Sequence, residues 1–161
     1  MTRALVVYYS RTGYTRRIAE EIARALACDI CPIEEERARH GLLGYLRSGY
    51  EATTRKQPTI AELARDPRQY ELVVIGTPVW NWRLSSPVRA FAARYRDRLG
   101  RVAFFCTMGG SGAQKAFGEL QQAVGRVPVA TLGLTDGEID ARTHAQKLDR
   151  FASALREQVP A

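Results

Sequence analysis

Ser10, Thr12 and Thr15 set three hydroxyls around Gly13, directly after an apolar run and directly before a helical pattern. Hydroxyls donate to anionic oxygens, and a helix start adds unpaired backbone N–H groups and the positive end of the helix dipole. That combination can hold a phosphate dianion without a lysine or a metal. Arg11 and Tyr14 fill the intervening positions. Hydroxyl-rich turns also serve as plain helix caps, so the stretch by itself leaves both uses open.

Two other stretches carry groups suited to binding a ring. Thr77-Pro78-Val79-Trp80-Asn81-Trp82-Arg83 combines two indoles with a cation, and Thr107-Met108-Gly109-Gly110-Ser111-Gly112 is an open, glycine-rich turn. An indole face can stack on an aromatic ligand, and a guanidinium can balance charge gathered on it. Packing and tight turning are the simpler uses of the same residues. Cys28-Asp29-Ile30-Cys31 has the C-x-x-C spacing, but a redox pair of that kind opens a helix, whereas this one follows a helix and enters a strand. Its cysteines read as ordinary thiols. His40 and His144 stand at no ligand spacing to it, so no metal site is expected, and no residue is singled out as catalytic.

The elements that position these stretches follow from periodicity. Ala4-Leu5-Val6-Val7 is continuously apolar, as a strand covered on both faces should be, and Ile18, Ala19, Ile22, Ala23 and Leu26 recur at helical spacing. Cys28 to Ile33 reads as a short second strand, followed by the acidic run Glu34-Glu35-Glu36 as a solvated face. A long connection comes next, in which the stretch from Gly41 to Tyr50 is expected to form a loose, partly helical cover. Thr59-Ile60-Ala61-Glu62 has the form of a capping box and predicts a short helix to about Arg65, stopped by Asp66-Pro67. Glu71 to Ile75 is a buried strand, and Gly76 to Arg83 is expected to leave its carboxyl end as an aromatic loop.

Ser86-Pro87 then supplies an N-cap and first-turn proline for a helix with Val88, Phe91, Ala92, Tyr95 and Leu99 on one face. Arg101 to Thr107 forms the fourth strand, Ala113, Ala116, Phe117, Leu120 and Val124 a helix, and Pro128 to Leu134 the fifth strand. An Asp136-Gly137 turn leads to a final helix marked by Ala141, Ala145, Leu148, Phe151, Ala152 and Leu155. This alternation predicts an α/β fold with a parallel sheet covered by helices on both faces, and one domain over residues 1–161. In such sheets ligands sit beyond the carboxyl ends of the strands, where the loops after strands one, three and four all fall.

Taken together, in this order and after these strands, the residues resemble the flavodoxin family over nearly the whole chain. Ser10, Thr12, Gly13 and Thr15 are similar to the family's S/T-x-T-G-x-T phosphate loop. Thr77-Pro78-Val79-Trp80 looks like the loop bearing a flavin-flanking aromatic, and Thr107-Met108-Gly109-Gly110 like the second isoalloxazine loop. The resemblance implies a three-layer, doubly wound, five-stranded parallel sheet of order 2-1-3-4-5, of the short-chain type, with FMN as cofactor. It implies cofactor contacts from Ser10, Arg11, Thr12, Gly13, Tyr14 and Thr15, from Thr77, Pro78, Val79, Trp80, Asn81, Trp82 and Arg83, and from Thr107, Met108, Gly109 and Gly110.

Other nucleotide and phosphate chemistries do not match. The loop has no Gly-Lys-Ser/Thr ending for a nucleoside triphosphate, no acidic residues after the first strand as in a receiver domain, and no cysteine as in a low-molecular-weight tyrosine phosphatase. By the same resemblance Trp80 or Trp82 would stack on the flavin and disfavour its reduced anion, and Arg83 is the candidate cation at the pyrimidine edge. Many members carry a glycine after strand three, where a peptide turns over to donate to flavin N5 in the one-electron state. Here Trp80-Asn81-Trp82-Arg83 has none, and Asn81 is the residue type next most tolerant of that turn.

Composition bounds the partners. Hydrophobic residues at 45% and charged residues at 25% describe a globular chain with a full core, and no apolar run is long enough to span a bilayer. With no signal-peptide core after Met1, the cytoplasm is the expected compartment. Lys and Arg total 24 against 17 acids, a formal charge of +7, yet the arginines are scattered and not interleaved with aromatics, so nucleic acid is not the expected partner. The expected function is an FMN-dependent redox protein, passing electrons to an acidic protein partner or to a small acceptor such as a quinone. The alternative is a flavodoxin-fold interaction module without flavin, against which the retained hydroxyls of Ser10, Thr12 and Thr15 argue.

Overall fold

Every residue of Ala4–Tyr8 (β1) is buried, because the strand is covered on both faces. The structure, a computed structural model, describes residues 3–36 and 59–159. Beside β1 lie β2 (Asp29–Pro32) and β3 (Leu72–Trp80), then β5 (Arg101–Met108) and β6 (Thr131–Thr135), all parallel, in the order β2-β1-β3-β5-β6. A short β4 (Arg83–Leu84) turns back antiparallel on the end of β3. With β4 set aside, this is the 2-1-3-4-5 order.

Side chains alternate between two cores, as the pleat requires. Leu5, Val7, Val73, Ile75, Val102 and Phe104 meet Val88, Phe91 and Tyr95 of α2 (Ser86–Tyr95) and Phe117, Leu120 and Val124 of α3 (Ala113–Val124). On the other face Val6, Tyr8, Val74, Phe105 and Leu134 meet Ile18 and Ile22 of α1 (Tyr14–Leu26) and Leu148, Phe151 and Leu155 of α5 (Ala145–Gln158). Three layers result. Gly76 is required between β1 and β5, because a Cβ there would collide with the ring of Phe105. Among the described residues no helix is long and apolar enough to cross a membrane.

Several sequence expectations are corrected. Thr59 to Arg65 is not helical: Ile60 forms an antiparallel bridge with Glu35, with Ala61 N–H donating to Glu34 C=O at 2.7 Å and Glu36 N–H to Thr59 C=O at 3.1 Å. Pairing with the chain after β2 wins over the local cap signal. Asp66-Pro67 starts a turn rather than stopping a helix, since the Asp66 carboxylate accepts from Arg68 N–H and Pro67 opens a 3₁₀ turn over Pro67–Gln69.

β3 does not end at Ile75 but runs five residues further, to Trp80. Gly76, Thr77 and Pro78 continue the pairing with Phe105, Cys106 and Thr107. Pro78 stands past the last partner on β1, where Tyr8 faces Gly76, so its missing N–H breaks no bond to that neighbour. Ser85, not Ser86, is the N-cap of α2. β2 spans only Asp29–Pro32, and β6 begins at Thr131 rather than Pro128. The Asp136-Gly137 turn is the first turn of a short helix, α4 (Asp136–Asp140), under a complete Thr135–Glu138 capping box; α5 then begins at Ala145, leaving Ala141 as the cap of α4. The expected cover at Gly41 to Tyr50 lies outside the described residues.

Candidate functional site

The chain turns at the carboxyl ends of β1, β3 and β5, which adjoin in the sheet, so the three sequence-singled stretches meet at one edge. The first of these turns is residues 9–13. Tyr9 N–H donates to Gly76 C=O at 3.2 Å, continuing the β1–β3 pairing one residue into the loop. Ser10 Oγ accepts from Gly13 N–H at 3.1 Å, and Gly13 adopts φ 102 as the N-cap of α1, a left-handed conformation that favours glycine. The first intrahelical bond runs from Arg17 N–H to Gly13 C=O, so the N–H groups of Tyr14, Thr15 and Arg16 have no intrahelical acceptor. Arg11, Thr12 and Gly13 are exposed around that opening.

Thr15 behaves differently from Thr12. It is buried, and its hydroxyl lies 2.8 Å from that of Thr107, so the helix start is bolted directly to the end of β5. Tyr14 turns outward and donates to Asp140 of α4 at 2.8 Å, which raises the phenol's pKa. Further along α1, Glu21 accepts from or pairs with the buried His144 at 2.8 Å. Helix α1 is thereby held to both α4 and the start of α5.

The end of β3 forms the second wall. Asn81 and Trp82 both have positive φ, 51 and 59, and join β3 to β4 in a two-residue hairpin turn of the I′ kind. Such turns favour Asn at the first position and glycine at the second. Trp82 occupies the glycine place, is 60% exposed, and is held by its indole N–H donating to Ser111 Oγ at 2.9 Å. Gly112, with φ 108, lets the third turn lie against this tip, since a Cβ there would stand 2.9 Å from both Trp82 Cα and a Val79 methyl.

Trp80 faces the other way, toward the first turn. Tyr9 meets it edge-to-face at 5.7 Å, and the Arg11 guanidinium sits 5.5 Å from its ring centroid. The Tyr9 phenol is pushed well above its ordinary pKa by burial and by the Glu35 carboxylate bonded to it. Arg83 is exposed on β4 as the cross-strand partner of Trp80.

The structure therefore brings Ser10, Arg11, Thr12, Gly13, Trp80, Gly109 and Gly110 to one open rim; a Cβ at Gly13, Gly109 or Gly110 would meet nothing within 4 Å. Thr77 is not on that rim. It is fully buried, with its hydroxyl 2.8 Å from Ser85 Oγ and donating to Pro78 C=O at 2.8 Å, which fixes the entry to α2. Met108 and Val79 are half-buried against the core. Tyr9, Ser111, Gly112 and Asp140 adjoin these residues and were not among the contacts expected from sequence. Ser111 and Gly112 lie within the glycine-rich turn and Tyr9 adjoins the hydroxyl loop, whereas nothing in the sequence links Asp140 to Tyr14.

The donor set suits a flavin mononucleotide: helix-start N–H groups and the Thr12 hydroxyl for a phosphate, an indole for a ring, and bare glycine backbone beside it. Cysteine chemistry is absent from the rim. Burial pushes the Cys28 and Cys106 thiols up to about 12, and Cys28 and Cys31 are not joined. Among the described residues no group of three His, Cys, Asp or Glu is placed to hold a metal ion.

A doubly wound parallel sheet with its turns gathered at the strand-order reversal defines the class of α/β proteins that take ligands at that edge. Within it, the sequence profile of the flavodoxin family matches residues 3–150, and the chain belongs to that family. Among solved structures, a flavoprotein of Lactobacillus acidophilus in complex with FMN is 22% identical with a TM-score of 0.68, the match covering 89% of this chain and 99% of that one. A candidate flavoprotein of Bacteroides eggerthii is 25% identical, TM-score 0.71, covering 94% and 99%. An NADH:FMN oxidoreductase in its apo form is 15% identical, TM-score 0.64, covering 99% and 91%. No curated protein matches the sequence.

Proposed function

We propose that the chain is an FMN-dependent redox protein that reduces a small acceptor such as a quinone, or passes electrons to an acidic protein partner. The observation that carries this reading is the meeting of the hydroxyl loop, the Trp80 face and the Gly109-Gly110 backbone at one edge. Membership of the flavodoxin family and the FMN complex of the Lactobacillus relative support FMN as the cofactor. FMN supplies the electron chemistry when bound, and the chain's part is to orient the ring and tune its surroundings.

Each group has a distinct part. The α1 start and Thr12 hold the phosphate, Trp80 presents its face to the ring, and Gly109 and Gly110 allow close backbone approach. Trp82 restricts the β3–β4 turn: its αL conformation, the bond to Ser111 and the contact with Gly112 all resist peptide inversion. That supports two-electron over one-electron transfer. Purified chain titrated with FMN should quench tryptophan emission and retain the yellow absorbance through gel filtration. A colourless protein that leaves added FMN unbound would favour the flavin-free interaction module instead.

A further inference from the structure

We infer that Arg11 is the positioning residue that sets the reduction potential at this site, by holding a positive charge on the Trp80 face. The inference rests on the FMN reading above. Arg11 leaves the loop as an exposed residue, and its guanidinium lies over Trp80, 5.5 Å from the ring centroid. Tyr9 packs on the same indole at 87°, so ring, phenol and guanidinium form one cluster. The next two cations along the chain, on α1, are paired, Arg16 with Glu20 at 2.9 Å and Arg17 with Glu21 at 3.5 Å. Arg11 makes no ion pair among the described residues. Arg83, the cation singled out by sequence, is exposed on β4 at the position paired with Trp80.

The sign of the effect follows from charge. Two electrons and one proton added to FMN, with dithionite as the reductant, leave the ring system with one extra negative charge. An indole face disfavours that charge, while a guanidinium held against the same indole favours the reduced form. Arg11 thus counters the effect of Trp80, and its loss weakens reduced FMN while leaving oxidised FMN nearly unchanged. Because Arg11 is exposed, added salt reduces the difference.

The experiment measures FMN affinity by fluorescence titration and midpoint potential by dithionite titration, for the wild-type chain, Arg11→Gln, Arg11→Lys and Arg83→Gln. Arg11→Gln is expected to lower the ratio of reduced to oxidised affinity about tenfold, which for a two-electron couple is a fall of about 30 mV. Arg11→Lys should restore most of it, and Arg83→Gln should move it less. Equal loss of affinity in both redox states would make Arg11 a phosphate or loop contact and overturn the inference, as would an unchanged potential. If the wild-type chain takes up no FMN, the cofactor reading itself fails and this inference falls with it. Far-ultraviolet circular dichroism identifies a misfolded variant, and Arg11→Lys, which keeps the charge, then carries the test: a potential unlike wild type overturns it.

Discussion

Thr12 and Thr15 are three residues apart and chemically identical, yet the structure gives them opposite surroundings. Thr12 stands exposed on the loop, whereas Thr15 is buried against Thr107. Thr12→Ala is therefore expected to weaken FMN by about 1.5–3 kcal/mol, the range for a hydrogen bond to a charged acceptor, without lowering stability. Titration of the variant with FMN, beside a urea melt, checks both halves. Two glycines separate in the same way. Gly13 and Gly112 both have φ above 100, so alanine at either costs about 1–2 kcal/mol in backbone strain. Only Gly112 also faces Trp82 and Val79 at 2.9 Å, so Gly112→Ala should lose more in denaturant melts than Gly13→Ala. A larger loss at Gly13 would contradict this packing. At this scale the sequence was legible for residue types and silent on exposure: Thr77 is a conspicuous hydroxyl in a flagged stretch, but strand β3 carries it inward to Ser85.

Two stretches of the form T-x-x-E occur, and only one caps a helix. Thr135 and Glu138 exchange both bonds, Glu138 N–H to Thr135 Oγ1 at 3.0 Å and Thr135 N–H to Glu138 Oε1 at 3.1 Å. Thr59 and Glu62 form no such box, because Ile60 and Leu63 are drawn into the core and Leu63 N–H donates to the Tyr95 hydroxyl at 2.9 Å. Thr135→Ala should cost about 1 kcal/mol of stability and Thr59→Ala less than about 0.5, measured side by side in urea. The same helix has a pH signature. Lys147 bonded to Glu138, together with the Thr135 N–H, lowers the carboxyl pKa in the folded state. Stability from that group is present above the unfolded pKa and fades as pH falls through the folded one. Glu138→Gln should flatten the acid limb of the stability–pH curve, and an unchanged slope would remove Glu138 from that role. Strand and helix order could be read from apolar periodicity. Boundaries could not, since β3's extension to Trp80 depends on pairing with Thr107 and with β4, which no local window contains.

Across the whole molecule, the proposed redox function together with the formal charge of +7 predicts faster electron exchange with acidic partners than with basic ones, and a rate that falls as salt rises. Stopped-flow reoxidation with an acidic and a basic acceptor protein of similar potential separates these; equal rates at low salt would leave the charge without a role. The order of the strands, the common edge of the turns and the family were all visible in sequence because each depends on succession along the chain. The links that cross the molecule were not, and the bond between Thr15 and Thr107 is the one with most to say about ligand choice. Each hydroxyl has a single proton, so the bond can point in either direction. A phosphate oxygen accepting from Thr15 would commit that proton and leave Thr107 as the donor beneath it. Riboflavin, lacking the phosphate, would leave the direction undecided. If the proposed phosphate site uses that proton, Thr107→Val should narrow the preference for FMN over riboflavin more than it weakens riboflavin itself, as fluorescence titration with both flavins would show.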